Sequence, residues 1–505
     1  MGVHIFCEAE KNKAMELFLK GHDYKYAVEQ IMLTLFPDER PEYPPYTTGG
    51  FRARVSLREA AQYVTADTVI YDSIYRYVGR SRVARSELRG TVVSERLKQR
   101  IIKQSFYRAG VRYLGKKPAW GALSGVRPAK LLRNLLDEGM GEKAACRRFR
   151  ELYDVSPERT ALTLDAAKHA RPAQRELGPR DVCLYLGVPF CPTRCAYCSF
   201  VSQSVERSMA LIEPFTDALL RDVSATAAAA RAAGLRPVAV YFGGGTPTTL
   251  SAAQLDRVIA HMRREFDLSA CREFTVEAGR PDTITAEKLD VLVRGGVTRV
   301  SVNPQTMQDA VLNAIGRRHT AADVVRALEL VRAAGQLQVN MDLIAGLPED
   351  SPDGFNKTLE EVLALGAENI TVHTLALKKG SRITLEGTRL PGAAEVGEML
   401  DAAQAALQSR GYAPYYLYRQ KFMSGGFENV GWCLPGTENL YNICIMEELC
   451  SVLAMGAGGS TKLTRGSGRL CRFFAPKYPQ EYIGGIEKVC ADKAQIAQFY
   501  QGGTL

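Results

Sequence analysis

The sequence predicts an α/β protein built around a parallel β-sheet, and three observations support this. Between residues 181 and 374, short apolar runs alternate six times with amphipathic helical segments. Such runs are typical of strands that are buried on both faces of a parallel sheet. Ser251 and Thr320 stand where two of the helices should begin, and these helices are long enough for right-handed crossovers. The predicted strands are residues 182–188, 238–242, 273–276, 299–302, 339–344 and 369–372.

The chain is long enough for more than one domain. Its 505 residues, of which 46% are hydrophobic, can bury one large core and leave room for two or three. We expect an N-terminal accessory domain over residues 1–170, the strand–helix region over residues 171–385 and a C-terminal α+β domain over residues 386–505.

The accessory region lacks the strand–helix alternation and carries basic helical stretches. A helix is predicted over residues 94–113, where apolar side chains recur at helical spacing: Leu97, Ile101, Ile102 and Phe106. A linker is predicted over residues 171–180, because Pro172, Gly178 and Pro179 would break a helix.

Cys191, Cys195 and Cys198 lie in one short segment with the spacing C-x3-C-x2-C. A [4Fe-4S] cluster normally takes four thiolates, so a loop that supplies three leaves one iron open to an outside ligand. Zinc is an alternative, but it usually takes two separated C-x2-C pairs, and the sequence has no second pair. Three buried structural thiols are another alternative, although Pro192 and Arg194 mark this segment as a loop. We therefore predict an iron-sulfur site with a reactive open iron.

The cysteine segment, Tyr185 before it and the block Gly-Gly-Gly-Thr-Pro-Thr at 243–248 after it resemble the radical S-adenosylmethionine (SAM) enzymes. Within them, the chain is most similar to the oxygen-independent coproporphyrinogen III oxidases, also called coproporphyrinogen dehydrogenases, from about residue 180 to about residue 460. The stretch Trp-Gly-Ala-Leu-Ser-Gly-Val-Arg-Pro at 120–128 resembles the subgroup with a long N-terminal extension. The resemblance implies a partial, six-unit parallel β/α barrel related to the TIM barrel.

The resemblance also implies a SAM site where the parallel strands end, as is usual in β/α barrels. Glu277 follows the third predicted strand, Gln305 follows the fourth, and Asp342 lies near the end of the fifth. Consecutive glycines would let the backbone approach a ligand, and an arginine can hold a carboxylate in a bidentate fork. The single histidines His319 and His373 are interpreted as structural. The positions that match the family's SAM contacts are Tyr185, Tyr197, Gly244, Gly245, Thr246, Glu277, Gln305, Arg317, Asp342 and Ala376.

The chemistry implied by the resemblance begins with one electron entering the cluster from a low-potential donor such as flavodoxin or ferredoxin. Cleavage of one or two SAM molecules would give a 5′-deoxyadenosyl radical, which takes a hydrogen atom from the β-carbon of a substrate propionate. Loss of carbon dioxide and one electron then leaves a vinyl group. Coproporphyrinogen III would become protoporphyrinogen IX, a step of porphyrin and haem biosynthesis.

Two alternatives stay open. Haem chaperones share the cysteine segment but bind haem through a His-Asn motif followed by Tyr-Trp, and the matching stretch 441–446 reads Tyr-Asn-Ile-Cys-Ile-Met. The missing histidine argues against this function, although Cys444 or Met446 could ligate haem iron. A nucleic-acid modifying enzyme is the other alternative, because basic residues cluster over 96–112. No RNA-binding signature accompanies them, so an ordinary solvated helix face is favoured.

The composition also gives expectations about the protein's environment. Residues 1–11 lack the basic and apolar stretches of a leader, and no run approaches the roughly 20 apolar residues of a membrane helix. Twelve cysteines diluted over this length indicate a reducing cytoplasm rather than a disulfide scaffold. The net charge of +10 is a mild excess, compatible with a substrate that carries four propionates.

The C-terminal region offers candidate segments for contact with substrate. These are residues 419–421, Arg-Gln-Lys, and residues 456–460, Gly-Ala-Gly-Gly-Ser. Cys433, Cys444 and Cys450 could hold a second metal, but their spacing, C-x10-C-x5-C, is not a recognised ligand spacing, and an interpretation as scattered reduced thiols is favoured.

Overall fold

The computed structural model describes residues 14–47, 49–198, 203–376, 389–420, 424–465 and 469–502. Within these described ranges the chain divides into two compact units, Met1–Leu164 and Asp165–Leu505. The division into three domains stays a prediction, and its second boundary, at residue 385, lies outside the described residues.

In the described part of the N-terminal unit, five strands form a sheet in the order β2-β1-β3-β4-β5. β1 is parallel to β2 and to β3, whereas β3, β4 and β5 pair antiparallel. The strands are β1 (Ala14–Lys20), β2 (Arg40–Glu42), β3 (Arg52–Glu59), β4 (Tyr63–Asp72) and β5 (Tyr75–Ala84). The helices are α1 (Lys25–Leu35), α2 (Gly90–Leu114), α3 (Pro128–Asp137) and α4 (Glu142–Tyr153).

The predicted helix over residues 94–113 is confirmed as part of α2, but the sheet beside it was missed. Ile101, Ile102 and Phe106 of this helix are fully buried in the unit's core. β3 and β5 alternate buried small or apolar residues with exposed arginines. Strands with only one buried face show no continuous apolar run, which is why the search for such runs did not find them.

We expect the substitution Phe106→Ala to lower the free energy of unfolding of the N-terminal unit by about 3–5 kcal/mol, because it empties a fully buried ring site. The measurement is urea unfolding followed by the fluorescence of Trp120, in a Trp432→Phe background that leaves one tryptophan in the chain. Val93→Ala on the same helix is the control, because Val93 is 44% exposed. Equal urea midpoints for the two variants would contradict the assignment of Phe106 to a core.

The second unit contains an 11-stranded sheet within the described residues, in the order β14-β15-β13-β12-β11-β10-β9-β6-β16-β17-β18. The two short strands β7 (Phe190–Cys191) and β8 (Gln203–Ser204) pair separately. The other strands are β6 (Asp181–Val188), β9 (Arg236–Gly244), β10 (Glu273–Val276), β11 (Arg299–Ser301), β12 (Gln338–Ala345), β13 (Asn369–Thr374), β14 (Ala413–Tyr418), β15 (Asn429–Cys433), β16 (Ser451–Gly456), β17 (Ser460–Arg465) and β18 (Arg469–Phe474).

The six predicted strands are confirmed as β6, β9, β10, β11, β12 and β13, which are mutually parallel. The α/β class with a large parallel sheet is therefore confirmed, and the open order of the strands agrees with a partial barrel. The C-terminal region extends this sheet at both edges, which was not predicted: β16 runs parallel to β6, and β15 runs antiparallel to β13.

Two helices of this unit begin at the predicted N-caps. The side chain of Ser251 accepts a hydrogen bond from the backbone N–H of Gln254, and that of Thr320 accepts one from the backbone N–H of Asp323. The helices from residue 157 onward are α5 (Pro157–Glu176), α6 (Val205–Ala232), α7 (Ala252–Glu265), α8 (Ala286–Arg294), α9 (Asp309–Ala314), α10 (Ala321–Ala334), α11 (Pro352–Ala364), α12 (Ala393–Ser409), α13 (Leu440–Glu447), α14 (Pro479–Gly484), α15 (Ile486–Asp492) and α16 (Ala494–Gln501).

The prediction of a linker over residues 171–180 is wrong for residues 171–176, because α5 continues through Pro172 and ends at Glu176. Ala170 and Ala173 on either side of this proline are buried in an apolar cluster with Tyr415. This packing offsets the hydrogen bond that a proline inside a helix cannot make.

Among the described helices, none combines the length and the apolarity that crossing a membrane requires.

Candidate functional site

A cavity of about 610 Å³ opens where the parallel strands of the second unit end. Its walls come from the loop after β6, from the ends of β9 to β13 and from the C-terminal region. All thirteen predicted site residues line it: Tyr185, Cys191, Cys195, Tyr197, Cys198, Gly244, Gly245, Thr246, Glu277, Gln305, Arg317, Asp342 and Ala376. The fold thus brings the predicted residues together from 185 to 376, although the role of each stays a prediction.

The cluster loop, residues 189–198, is held in place by hydrogen bonds to neighbouring segments. The backbone N–H of Ala196 donates to the carbonyl of Ile315 at 2.9 Å, and the hydroxyl of Thr193 donates to the carbonyl of Gly316 at 3.2 Å. Arg280 is buried, donates to the Thr193 hydroxyl at 3.0 Å and pairs with Asp282 through two bonds of 3.1 Å. These contacts fix the loop before any ligand binds.

Gly244 and Gly245 are required because the end of β9 lies against the cluster loop. A Cβ on Gly244, whose φ is +111°, would lie 2.8 Å from the carbonyl oxygen of Val188. A Cβ on Gly245 would lie 2.4 Å from the carbonyl oxygen of Phe190 and 3.0 Å from the Sγ of Cys191. The glycines were expected to let the backbone approach a ligand. The structure shows that their missing side chains also make room for the backbone of the cluster loop.

The residues present fit a [4Fe-4S] cluster. Cys191, Cys195 and Cys198 are partly buried, are not in disulfides and line one cavity. The missing side chain at Gly245 leaves the sulfur of Cys191 uncovered, and the hydroxyl of Thr246 donates to that sulfur at 3.5 Å. Three thiols with a hydroxyl donor beside one of them are the donor set of an iron-sulfur site that keeps one iron open.

The pKa of the Glu277 carboxyl group in the cavity is raised well above its ordinary value. Burial raises its pKa to about 7, the hydroxyl of Tyr241 donates to the carboxylate and opposes the shift, and the nearby charge of Asp342 adds to it. The carboxylate is therefore poised to accept hydrogen bonds from a ligand that supplies better donors than the ligand-free protein does.

We expect Glu277→Gln to flatten the pH dependence of stability of the ligand-free protein. The pKa of Glu277 in the folded state, about 7, exceeds its ordinary value of 4.5, so the folded protein binds a proton more tightly than the unfolded chain does. The free energy of unfolding therefore falls as pH rises from about 5 to about 8, by about 2 kcal/mol from this residue. Urea unfolding at about pH 5 and at about pH 8 measures this change in the free energy of unfolding. Glu360→Gln is the control, because Glu360 is exposed. An unchanged slope in Glu277→Gln would contradict the burial of this carboxyl group.

Arg317 is a buried cation with donor capacity to spare. Its Nη1 donates to the carbonyl of Asn303 at 2.7 Å, and its Nη2 donates to the hydroxyl of Tyr197 at 3.3 Å. Its Nε has no hydrogen-bond partner among the described residues. A buried guanidinium with an unsatisfied N–H suits an anionic ligand group such as a carboxylate.

The side chains of Asp342 and His373 are neighbours in the cavity, with His373 Nε2 lying 3.7 Å from an Asp342 oxygen. Burial raises the pKa of Asp342, but contacts with His373 and with Asn340 outweigh it, and the pKa is lowered overall. His373, interpreted as structural from the sequence, thus stands in the candidate site. His319 is buried, and its pKa is lowered to about 4 by burial and by the nearby charge of Arg317.

Gln305 has a left-handed backbone, with φ +66°, at the edge of the cavity. Its N–H donates to the carbonyl of Asp342 at 2.9 Å, and its carbonyl accepts from the N–H of Ile344 at 3.0 Å. These two bonds hold a strained conformation that non-glycine residues adopt rarely. The end of β11 is thereby fixed against β12.

Five tyrosines form a wall of the cavity, of which only Tyr185 was predicted: Tyr185, Tyr241, Tyr416, Tyr418 and Tyr441. The rings of Tyr241 and Tyr441 stack with centroids 4.4 Å apart, and those of Tyr185 and Tyr241 stack at 6.4 Å. Side chains two residues apart on a strand face the same way. Tyr241 precedes Gly243 by two positions, so the period of the strand could have revealed it. Tyr416, Tyr418 and Tyr441 come from the C-terminal region, where only residues 419–421 and 456–460 were expected to contact substrate.

The C-terminal candidates reach the cavity in part. Gln420, Gly458 and Ser460 line it. Arg419 instead is buried and donates to the carbonyl of Gly426 at 2.6 Å. Lys421 lies outside the described residues.

Met446 and Cys444, the two possible haem ligands, separate in the structure. Met446 lines the cavity, whereas Cys444 packs with Cys183 and Cys450 in a buried cluster. The interpretation of Cys433, Cys444 and Cys450 as scattered thiols is therefore wrong for the last two.

Comparison with known proteins gives a consistent assignment. Residues 185–362 match the model of the Radical SAM superfamily. The chain is 38% identical over 399 residues to the oxygen-independent coproporphyrinogen-III oxidase-like protein HemZ of Bacillus subtilis (strain 168), covering 78% of this chain and 80% of that protein. It is 30% identical over 280 residues to the heme chaperone HemW of Lactococcus lactis subsp. lactis (strain IL1403), covering 55% of this chain and 68% of that protein. Its fold is similar to that of coproporphyrinogen III oxidase (HemN) from Escherichia coli, with a TM-score of 0.51, 23% identity, and 64% of this chain and 72% of that chain covered.

Proposed function

Because the chain belongs to the radical SAM superfamily, within the group of proteins like the oxygen-independent coproporphyrinogen III oxidases, we propose that it decarboxylates coproporphyrinogen III oxidatively. Two propionate side chains would become vinyl groups, giving protoporphyrinogen IX. The group also includes haem chaperones, so the choice of this reaction rests on the cavity and not on the family.

The cofactors of this superfamily are a [4Fe-4S] cluster and SAM. We propose that Cys191, Cys195 and Cys198 hold the cluster, and that Glu277 and Arg317 receive the polar groups of SAM. When bound, the pair supplies one-electron chemistry that removes a hydrogen atom from an unactivated carbon. The number of SAM molecules, one or two, is not fixed by these residues.

The observation that carries the proposal is the tyrosine wall, which stands in the same cavity as the cluster cysteines. The five tyrosines give one side of the cavity a broad aromatic surface on which a macrocycle of four pyrrole rings can pack, and burial there excludes water from the reacting carbon.

Polar groups at the edge of the wall suit the propionates. The Tyr418 hydroxyl lies 3.5 Å from His373 Nδ1, and the Gln420 and Asn442 side chains line the same cavity. Each can donate a hydrogen bond to a carboxylate. The contact with Asp342 helps to fix the position of the His373 imidazole. From that position the imidazole can bind and orient a propionate of the substrate.

The experiment is an anaerobic assay of the reconstituted protein with SAM, dithionite, a one-electron acceptor and coproporphyrinogen III, with the porphyrin products followed by mass spectrometry. We expect loss of two carbon dioxide units per substrate. Unchanged coproporphyrinogen III, with SAM cleaved all the same, would contradict the proposed substrate. We further propose a low-potential donor such as flavodoxin or ferredoxin in vivo, and the reducing cytoplasm as the setting.

Haem binding is the second candidate function, and the similarity to HemW and the position of Met446 in the cavity favour it. A haem titration distinguishes the two. A tight 1:1 complex with a shifted Soret band that is lost in Met446→Ala would establish haem ligation. We expect no such shift, because Cys444 packs away from the cavity and the stretch 441–446 has no histidine.

A further inference from the structure

Three buried cysteines meet behind the tyrosine wall. The sulfur atoms of Cys183, Cys444 and Cys450, named here the thiol trio, lie within 4.8 Å of one another. The sulfurs of Cys183 and Cys450 are 3.5 Å apart. All three residues are buried, with relative exposures of 0%, 0% and 6% in chain order.

The thiol trio is separate from the cluster loop. None of its three cysteines is among the described residues that line the cavity. They share one apolar cluster with Tyr185, Tyr241 and Tyr441, whose rings do line the cavity. The trio therefore lies on the far side of the wall from the substrate space.

The backbone holds the trio in place from three separate elements. Cys183 lies on β6, Cys450 directly precedes β16, and Val452 on that strand is the parallel partner of Cys183. Cys444 lies on α13, whose position is fixed where the helix begins. There the N–H groups of Leu440 and Tyr441 donate to the carboxylate of the buried Glu273, at 2.9 and 3.3 Å.

We propose that the thiol trio binds one thiophilic metal cation, with Zn²⁺ or Cu⁺ as the candidate ions. Thiolates are soft ligands that select such ions. At a Zn–S distance of about 2.3 Å, three sulfurs around one ion lie roughly 4 Å apart, close to the spacing found here. Binding of Zn²⁺ by three thiols releases three protons and leaves one negative charge, and Cu⁺ leaves two.

The bound ion would cross-link β6, the first of the parallel strands along the chain, to the C-terminal region. It would join β6, α13 and the start of β16 through bonds that apolar packing cannot provide. Tyr185 lies two residues after Cys183, and Tyr441 lies three residues before Cys444. The metal cross-link would therefore also restrict the movement of these two rings of the tyrosine wall.

The test uses the full chain with its iron-sulfur cluster reconstituted, so that the cluster-loop thiols are occupied by iron. One equivalent of Zn²⁺, or of Cu⁺ in a parallel sample, is added without oxygen, and metal is counted after gel filtration. We expect close to one ion per chain in at least one sample, and a raised melting temperature. X-ray absorption at the zinc or copper edge ignores iron and should show three sulfur ligands at about 2.3 Å.

Variants locate the ion. Cys183→Ala and Cys450→Ala should each bind at least about tenfold less metal under competition with a chelator. Cys433→Ala should bind as the wild type does, because Cys433 is equally buried but lies in another cluster. If a trio variant does not fold, as judged by circular dichroism, the absorption spectrum of the wild type decides alone.

The proposal would be overturned by the absence of a bound ion with either metal, by binding that is equal in Cys183→Ala and wild type, or by an absorption spectrum dominated by nitrogen or oxygen ligands. A disulfide between Cys183 and Cys450 in protein purified without oxygen would also exclude a metal site.

Discussion

Replacing Cys195 with alanine is expected to abolish both the iron-sulfur cluster and the reaction. The cluster loop offers three thiols to the cavity, and removing one leaves two, too few for a cubane that already has one open iron. Removing a residue that only hydrogen-bonds to a metal ligand typically lowers metal affinity or activity about 10–100-fold. Removing a ligand itself should therefore lower turnover by more than about 100-fold. Iron content should fall from about four to below one per chain, measured by a colorimetric iron assay.

The matched control is Cys471→Ala, which removes a partly buried thiol on β18. It should keep its iron content and turnover, because Cys471 is not among the described residues lining the cavity. Full iron content in Cys195→Ala, with turnover intact, would show that the loop does not hold the cluster. Equal loss in both variants would point to general damage by thiol removal.

Gly245→Ala is expected to have an effect nearly as large, although it removes no atom. The new Cβ would lie 2.4 Å from the carbonyl oxygen of Phe190 and 3.0 Å from the sulfur of Cys191, so the cluster loop must move. The loop cannot shift without losing the backbone bond from Thr246 to Phe190, at 2.7 Å. Overpacking of this kind costs about 1–3 kcal/mol of stability. A displacement of about 1 Å next to the cofactors lowers turnover by about 100-fold.

Gly484→Ala is the control, because no atom lies within 4 Å of a Cβ at that position. Its unfolding free energy should stay within about 0.5 kcal/mol of the wild type, by urea unfolding. Iron content, turnover and urea midpoint are measured for both variants. Wild-type turnover in Gly245→Ala would show that the glycine block is not packed against the loop.

The parallel sheet could be predicted because its strands are buried on both faces. Residues 182–188 and 238–242, for example, are nearly continuous apolar runs, and that pattern does not depend on what the strands pair with. The candidate site followed from the same pattern, since polar residues after strand ends share one edge of a parallel sheet. Glu277 and Asp342 were expected from the family resemblance, and their positions after strand ends agreed with it.

The parts that were missed depend on long-range pairing. β16 is apolar, but nothing in its sequence indicates that it lies beside β6 rather than elsewhere. Tyr441 and Cys444 therefore had no predicted neighbours, and neither the tyrosine wall nor the thiol trio could be assembled. The linker over residues 171–180 failed for a related reason, because local helix breakers were outweighed by the packing of Ala173 on residues far along the chain.

The most direct test of the central claim is the fate of one hydrogen atom. Coproporphyrinogen III carrying deuterium at the β-carbons of its propionates is incubated with the reconstituted protein, SAM and reductant, and the 5′-deoxyadenosine formed is analysed by mass spectrometry. The account predicts one deuterium in each 5′-deoxyadenosine and vinyl groups in the porphyrin. Unlabelled 5′-deoxyadenosine, or labelled substrate recovered without decarboxylation, would contradict it.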